Sequence, residues 1–455
     1  MKVIKIGGGC LKDGPAARKI IELIAQRGAG DLFVLSAFYG ITDILISGIE
    51  SALADEDHIP AIMTRLTQRH DTVIQHLIDD DGKKEKLSQD LFEVFQKLER
   101  YYYGVGFTRE ATPRMKDMIA VCGERISAII LSQALSSMGK KSCYLLPEEA
   151  GIISDGKFMD ASAIMTKTSK NLAAAVNAVR TPETIIFIPG FYGVSESGEI
   201  TTFGRGGSDY SAAVVAASVK ADVLEIWKDT PGFMTADPDN IPHCRLIPAL
   251  TYEEAAELSY TGAGILHPRT VEPVKKAGID IAVKNTFKPD APGSRITKKA
   301  YTSERIIKSV SYTTDISVLK IYAPGVGARF GILSRITETL TSAGINIKSV
   351  VTSQTCISLL LSRADIEKGY QSIQKIRPVL FRKSSVITDV ALVSIVGEGL
   401  QHNCGVAAKC FTAVSNAGVN IEMISFGTSN AALYFLVSED KLDITINALH
   451  DIFFG

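Results

Sequence analysis

Arg205 and Asp209 stand four positions apart in Thr202-Phe203-Gly204-Arg205-Gly206-Gly207-Ser208-Asp209-Tyr210-Ser211-Ala212-Ala213, where a glycine-rich loop runs into a long helix of small residues. The first turn of a helix presents unpaired N–H groups and the positive end of the macrodipole. Glycines let an anion come close to those groups, and Ser208 can cap the turn. An arginine in the same loop can hold a carboxylate through two parallel hydrogen bonds. A glycine-rich loop alone would be no more than a flexible connection. The charged pair inside it, ahead of a helix too apolar to be exposed, makes it an anion-binding site.

Other chemistry-bearing residues fall at the ends of apolar, strand-like runs. Lys5 sits inside Val3-Ile4-Lys5-Ile6, where an unpaired ammonium would be costly, and Gly7 and Gly8 follow directly. A lysine on an edge strand would explain the pattern as well, but the glycines favour a charge aimed at a phosphate. Ser36 with Thr42, Glu124, Phe191 and the run Trp227-Lys228-Asp229-Thr230-Pro231-Gly232 occupy comparable positions. The inventory holds no nucleophilic triad, no metal-ligand cluster and no poised histidine. His267, before Pro268, reads as well as a helix cap as it does as a catalyst. A reaction that needs no general base fits this set. Phosphoryl transfer from ATP to a carboxylate is one, because the nucleophile is already ionised at neutral pH. Catalysis is then positioning plus charge neutralisation by lysine, Mg²⁺ and helix N-termini. The acceptor's own carboxylate would need an arginine, and its ammonium an acid such as Glu124.

These residues must be positioned by an open, mostly parallel α/β sheet. Strands are expected near 3–6, 32–35, 142–146, 184–188, 223–227 and 279–283, a helix over 15–24, and mostly helical chain over 57–138. In such sheets ligands bind beyond the carboxyl ends of the strands. Thr251-Tyr252-Glu253-Glu254 reads as a capping box. The first unit ends near Pro292-Gly293, and a charged linker is expected over 298–315. The remainder is a duplication: 331 to 405, 344 to 418 and 346 to 420 are all steps of 74 residues, relating Gly331…Ala343-Gly344-Ile345-Asn346 to Gly405…Ala417-Gly418-Val419-Asn420. Each copy reads as a small α+β unit whose glycine-bounded turn could hold an amino acid at a helix N-terminus. At 455 residues, 46% hydrophobic and 22% charged, with a formal charge of −1, the chain has the make-up of an ordinary globular protein. The absence of a basic run argues against nucleic acid as the main partner. Seven scattered cysteines without zinc-site spacing fit a reducing, cytoplasmic setting. The expectation is a protein with no leader and no membrane contact.

The motifs resemble the aspartate kinase branch of the amino acid kinase family. The matches are Lys5-Ile6-Gly7-Gly8, Leu35-Ser36-Ala37, Gly40-Ile41-Thr42-Asp43, Gly123-Glu124-Arg125, Gly190-Phe191, the Gly204–Ala212 block, Asp237-Pro238, Tyr252–Leu258 and Leu266–Thr270. The tail is similar to paired, ferredoxin-like ACT domains. The resemblance implies a kinase domain over 1–297 and ACT domains over 316–386 and 389–455. It implies ATP- and Mg²⁺-dependent phosphorylation of L-aspartate to 4-phospho-L-aspartate, the first step of lysine, threonine and methionine biosynthesis. Arg205 would bind the α-carboxylate and Glu124 the ammonium, with Ser36, Thr42, Phe191 and Ser208 lining the pocket. Lys5 and Asp209 would be catalytic. ATP would lie against Lys5, Gly7, Gly8, Lys228, Asp229, Gly232 and Met234, and no resident metal is expected. Lysine or threonine would act through Gly331, Ile332, Ser349, Val350, Thr352, Ser353 and Gln354. Dimers or larger homo-oligomers would form through the ACT sheets.

The chain also departs from the family's pattern. Gly9 and Cys10 stand where two hydroxyl residues are usual, and Asp239 where a basic residue is. Gly264 stands where a lysine is usual, and Lys228 where a threonine is common. The aspartate side is thus intact and the nucleotide side altered. That leaves two further readings, a weakened paralogue that senses amino acids and a kinase for another amino-acid carboxylate. Glu124 argues against N-acylated acceptors, which offer no cation to pair with.

Overall fold

The computed structural model describes residues 1–262, 264–298, 306–323, 325–326, 330–377 and 381–455. The chain falls into two compact units, Met1–Phe233 with Leu246–Ala256 and Gly264–Tyr301, and Met234–Arg245 with Glu257–Ala263 and Thr302–Gly455.

The first unit is built on β1 (Val3–Ile6), β2 (Leu32–Leu35), β3 (Ser142–Tyr144), β4 (Ile185–Pro189), a side hairpin of β5 (Tyr192–Val194) and β6 (Ile200–Thr202), then β7 (Leu224–Lys228), β8 (Ala249–Thr251), β9 (Ile281–Asn285) and β10 (Ser294–Thr297). Eight of these strands form one sheet in the order β3-β4-β2-β1-β7-β9-β10-β8, and only the β9–β10 pair is antiparallel. The central strands are continuous apolar runs because helices cover both faces of a parallel sheet. Val3, Ile6 and Leu32 are fully buried, as are Ile186 and Leu224. The expected mostly parallel sheet is present, and β10 carries it past Pro292-Gly293. The capping box forms reciprocally. Thr251 N–H donates to Glu254 Oε2 at 2.8 Å, and Glu254 N–H to Thr251 Oγ1 at 3.2 Å.

The helix Gly207–Val219 follows the glycine-rich loop and lies between the helices Met165–Val179 and Pro268–Ala277. Its run of Ser, Ala and Val lets three helices approach closely, and Ala212, Ala213 and Ala216 are fully buried. The segment Pro113–Ser137 is long and apolar enough to cross a membrane. Within its most apolar stretch 83% is buried against this unit, as expected of a core helix.

The second unit holds two antiparallel sheets. One contains β12 (Ser317–Tyr322), β13 (Ser349–Thr352), β14 (Cys356–Leu361) and β15 (Lys383–Ile387) in the order β13-β14-β12-β15. The other contains β11 (Ser309–Thr313), β16 (Val390–Val396), β17 (Met423–Phe426) and β18 (Ala432–Ser438) in the order β11-β16-β18-β17. The duplication is visible in backbone geometry. Gly331 and Gly405, with φ of 81° and 86°, cap the helices Ile332–Ser342 and Val406–Asn416 in the left-handed conformation that glycine adopts without strain.

One expectation needs correction. The segment read as a linker over 298–315 contains β11, which pairs with β16 from Ser309↔Val396 to Thr313↔Leu392; its first residues, 299–305, lie outside the described residues. Within the expected 1–297 region, Met234–Arg245 and Glu257–Ala263 group with the second compact unit. Short alternating Ser-Val-Ser-Tyr-Thr does not outweigh flanking charge in a sequence reading, yet Val310 is fully buried in the second sheet's core. Val310→Ala is therefore expected to cost about 2 kcal/mol in chemical denaturation. A residue in a linker would show no change.

Candidate active site

Lys5 and Asp209 form a buried ion pair, Nζ to Oδ1 at 2.6 Å, with side chains 7% and 9% exposed. Strand β1 delivers the lysine and the first turn of Gly207–Val219 delivers the aspartate. At the end of β7, Lys228 Nζ lies 3.9 Å from Asp209 Oδ2 and donates to the Gly264 carbonyl at 3.0 Å. Two ammonium groups thus flank one carboxylate, beside a helix N-terminus. Burial alone would raise the Asp209 carboxyl, but Lys5 and then Lys228 outweigh it and hold the group below its usual range. Burial lowers Lys228, with Asp209 opposing.

Beside this cluster opens a cavity of about 790 Å³, lined by Lys5, Gly8, Gly9, Ser36, Thr42, Glu124, Phe191 and the loop Gly204–Asp209. Arg205 is exposed at its edge and makes no ion pair among the described residues. Glu124, in the first turn of the helix Cys122–Ser137, is 4% exposed. Its Oε1 accepts from Ser208 Oγ at 3.5 Å, while Oε2 is buried without a partner among the described residues. Burial pushes its carboxyl up to about 8, opposed by hydrogen bonds from Ala37, its own backbone and Ser208 and by the charge of Lys5. An unpartnered, buried oxygen facing a cavity is a place for a donor to arrive.

The loop is held by several devices. Phe191 has φ of 79°, a strained value for an aromatic residue, fixed by its N–H to Ser211 Oγ at 2.9 Å and its carbonyl to Phe203 N–H at 2.8 Å. Gly206, at φ of 70°, has no room for a side chain, since a Cβ would lie 2.3 Å from His267. Two residues to which the sequence assigned no role complete the support. Asp117 accepts from Thr202 Oγ1 at 2.6 Å, Thr202 N–H at 3.1 Å and Met159 N–H at 2.9 Å. Arg269 donates to the Phe203 carbonyl at 2.9 Å and the Ala161 carbonyl at 2.6 Å, with its guanidinium over Tyr210. Neither lies in a glycine-rich or strand-end pattern; Asp117 stands in no motif, and Arg269 stands in the Leu266–Thr270 match, which was the available signal. His267 is the N-cap of Pro268–Ala277, accepting from Arg269 N–H at 3.4 Å.

The structure therefore brings Lys5, Gly8, Ser36, Thr42, Glu124, Phe191, Arg205, Ser208 and Asp209 to one cavity. Gly7 is not among its lining residues. Its N–H is bonded to the Trp227 carbonyl at 3.3 Å, so it organises the turn and offers no donor of its own. Asp229 comes close to Gly9, where a Cβ would meet its Oδ2 at 3.1 Å. Gly232 is buried against Ser294, and Met234 belongs to the second unit, where its carbonyl accepts from Ser309 Oγ at 2.9 Å. Cys10 does not face the cavity. It is fully buried, with Sγ 3.0 Å from Thr286 Oγ1, so its thiol removes no hydroxyl from the site. Asp239 is exposed in the second unit.

Of the expected effector residues, Ser349, Val350 and Thr352 lie on β13, an edge strand, and Ser353 and Gln354 form its turn. Gly331 caps its helix, but the Ile332 side chain is buried in the module's core and leaves only backbone to a ligand.

Comparison with known proteins agrees with this architecture. The model of the amino acid kinase family matches residues 1–285, and an ACT domain model matches 393–453. The chain is 31% identical over 350 residues to aspartokinase 2 of Bacillus subtilis, covering 76% of this chain and 83% of that protein. It is 28% identical over its whole length to the bifunctional aspartokinase/homoserine dehydrogenase of Haemophilus influenzae, of which it spans 57%. Among solved structures, E. coli aspartokinase III in complex with aspartate and ADP superposes over both whole chains with a TM-score of 0.85 at 24% identity. The aspartate kinase of Clostridium acetobutylicum does so with 0.77 at 26%. The chain belongs to the amino acid kinase family, in its aspartokinase branch.

The raised Glu124 carboxyl makes a signed prediction. Its folded-state value of about 8 lies above the ordinary 4.5, so between these values the folded protein keeps a proton that the unfolded chain releases. Stability of the ligand-free protein is expected to fall as pH rises through that window, and Glu124→Gln should flatten the fall. Equal slopes in denaturant titrations of the two proteins would contradict the assignment.

Proposed function

We propose that the chain is an aspartate kinase, transferring the γ-phosphoryl group of ATP to the side-chain carboxylate of L-aspartate. The observation that carries the reading is the juxtaposition, in one cavity, of the Lys5–Asp209 pair, which Lys228 backs, with Arg205, without an ion pair among the described residues, and the orphaned Glu124 oxygen. Arg205 suits the α-carboxylate and Glu124 the α-ammonium, whose arrival would favour the ionised acid. The acceptor is thereby held through both charged groups on its Cα, which leaves the side-chain carboxylate free to point toward Lys5.

In the transfer, a side-chain carboxylate oxygen bonds to the γ-phosphorus while the bond to the β–γ bridging oxygen breaks, giving 4-phospho-L-aspartate and ADP. No proton has to be removed from the acceptor, so the protein's part is placement and charge. Lys5 lies where negative charge builds on the transferred group, and Asp209 keeps both lysines in place against mutual repulsion. Lys228 adds the second cation that the chain lacks at Gly264. Mg²⁺ retains water and binds mainly to nucleotide phosphates, so it would enter with ATP; Asp209 is the buried carboxylate nearest the phosphates in this reading.

Feedback control by lysine or threonine is part of the proposal. It is supported by the two ACT-type modules and the glycine-capped helices at Gly331 and Gly405. The edge strands β13 and β17 carry exposed Val350, Ile424 and Phe426, which suits pairing between copies in a homodimer or larger assembly. All seven cysteines are free, which supports a cytoplasmic setting.

Purified protein with aspartate, ATP and Mg²⁺ is expected to yield an acyl phosphate that hydroxylamine traps as the hydroxamate. Arg205→Ala should reduce the signal by at least about a hundredfold through loss of a bidentate charge-assisted contact. No hydroxamate from the wild type at millimolar substrates would overturn the proposal, and ATP-independent binding of lysine or threonine would then favour a sensor.

A further inference from the structure

Within the second unit, the loop Met234–Arg245 is tied to the last helix, Leu442–Phe454, and to β11. Asn240 Nδ2 donates to Asp443 Oδ1 at 2.8 Å, Arg245 Nη2 to the Phe454 carbonyl at 3.0 Å, and Val310 N–H to the Thr235 carbonyl at 2.9 Å. Between these ties His243, His450 and Asp451 converge, with one donor atom of each within 4.8 Å of the others. His450 is 1% exposed and its ring meets that of His243 edge to face, with centroids 5.1 Å apart. Its Nε2 lies 3.1 Å from Thr235 Oγ1, and Nδ1 is buried with no hydrogen-bond partner among the described residues. A buried nitrogen without a partner is a cost that apolar packing does not explain.

We propose that His243, His450 and Asp451 bind one divalent metal ion of the Zn²⁺ class. Two imidazoles and a carboxylate are a borderline donor set that suits Zn²⁺, Co²⁺ or Ni²⁺, and water would complete a four-coordinate shell. Hard Mg²⁺ prefers oxygen ligands, so the ion that travels with a nucleotide is not the one this site selects. Thr235 Oγ1 can accept from His450 Nε2–H, the tautomer that leaves Nδ1 with a free lone pair. Around a tetrahedral ion with bonds of about 2.0–2.2 Å, ligand atoms stand roughly 3.4 Å apart. Closing from 4.8 Å takes small movements of His243 and Asp451, which are both exposed. The nearby cation is Arg245, whose guanidinium is turned to the Phe454 carbonyl. A bound ion would staple the loop to the helix, adding a metal bridge between segments that are now joined by three hydrogen bonds.

The test uses the full chain, freed of metal with a chelator and kept reduced with a phosphine. Calorimetric titration with Zn²⁺ is expected to show one micromolar site per chain, and Zn²⁺ but not Mg²⁺ should raise the Tm. Co²⁺ should give the intense visible bands of a four-coordinate ion. His243→Ala and Asp451→Asn, both at exposed positions, should each weaken Zn²⁺ binding at least about tenfold while leaving the metal-free Tm unchanged. No saturable binding at micromolar Zn²⁺ would overturn the proposal. So would binding that survives both substitutions but is lost in Cys244→Ser, which would assign the metal to thiolate.

Discussion

A carboxylate held between two ammonium groups is the interaction on which the rest of the first unit depends. Asp209 is 7% exposed and Lys5 5% exposed, and either charge alone at that depth would be strongly unfavourable. Together they make a short ion pair. With Lys228 at 3.9 Å the cluster carries one positive charge in excess. Removing one partner of such a pair typically costs about 3–5 kcal/mol, so the arrangement is fixed by its own energetics. The excess cation and the helix N-terminus beside it make this spot electrostatically favourable for an anion.

The sheet exists, for this purpose, to bring four distant segments to one edge. The parallel order places the ends of β1, β2, β4 and β7 side by side, which delivers Lys5, Ser36, Phe191 and Lys228 within a short span. The close approach of the helix Gly207–Val219 to its neighbours requires small residues from Ser211 onward, and that packing fixes where Asp209 and Ser208 sit. Backbone strain at Phe191 and the positive φ at Gly206 are stored at the mouth of the same helix. Asp117 and Arg269 hold those segments from behind by bonding to backbone groups that would otherwise be free to move.

Much of this was legible in the residues because the signals were local. Apolar runs with β-branched residues marked the central strands, and glycines beside charge marked the anion site. A constant 74-residue step marked the duplicated helices, whose caps at Gly331 and Gly405 adopt the same backbone conformation. What escaped was non-local. Strand β11 joins the second sheet by pairing with β16, about 80 residues later, and nothing in its five residues announces the partner. Cys10 looked like a lost phosphate ligand, but its thiol turns inward to Thr286. Asp117 acts on N–H groups and a hydroxyl and stands in no motif, and Arg269, though inside the Leu266–Thr270 match, acts on backbone carbonyls that the motif does not reveal. Ile332 sits in an expected ligand turn, yet packs as a core residue because the turn's first helical position faces inward.

The central claim is that the lysine pair around Asp209 faces the transferred phosphoryl group while Arg205 and Glu124 face the acceptor. Steady-state kinetics of Lys228→Met, a near-isosteric removal of one charge, tests that division most directly. The account predicts a raised KM for ATP and a lowered kcat, by about one to two orders of magnitude in kcat/KM for a lost charged contact, with the KM for aspartate unchanged. An unaltered ATP dependence, or a defect confined to aspartate, would contradict it.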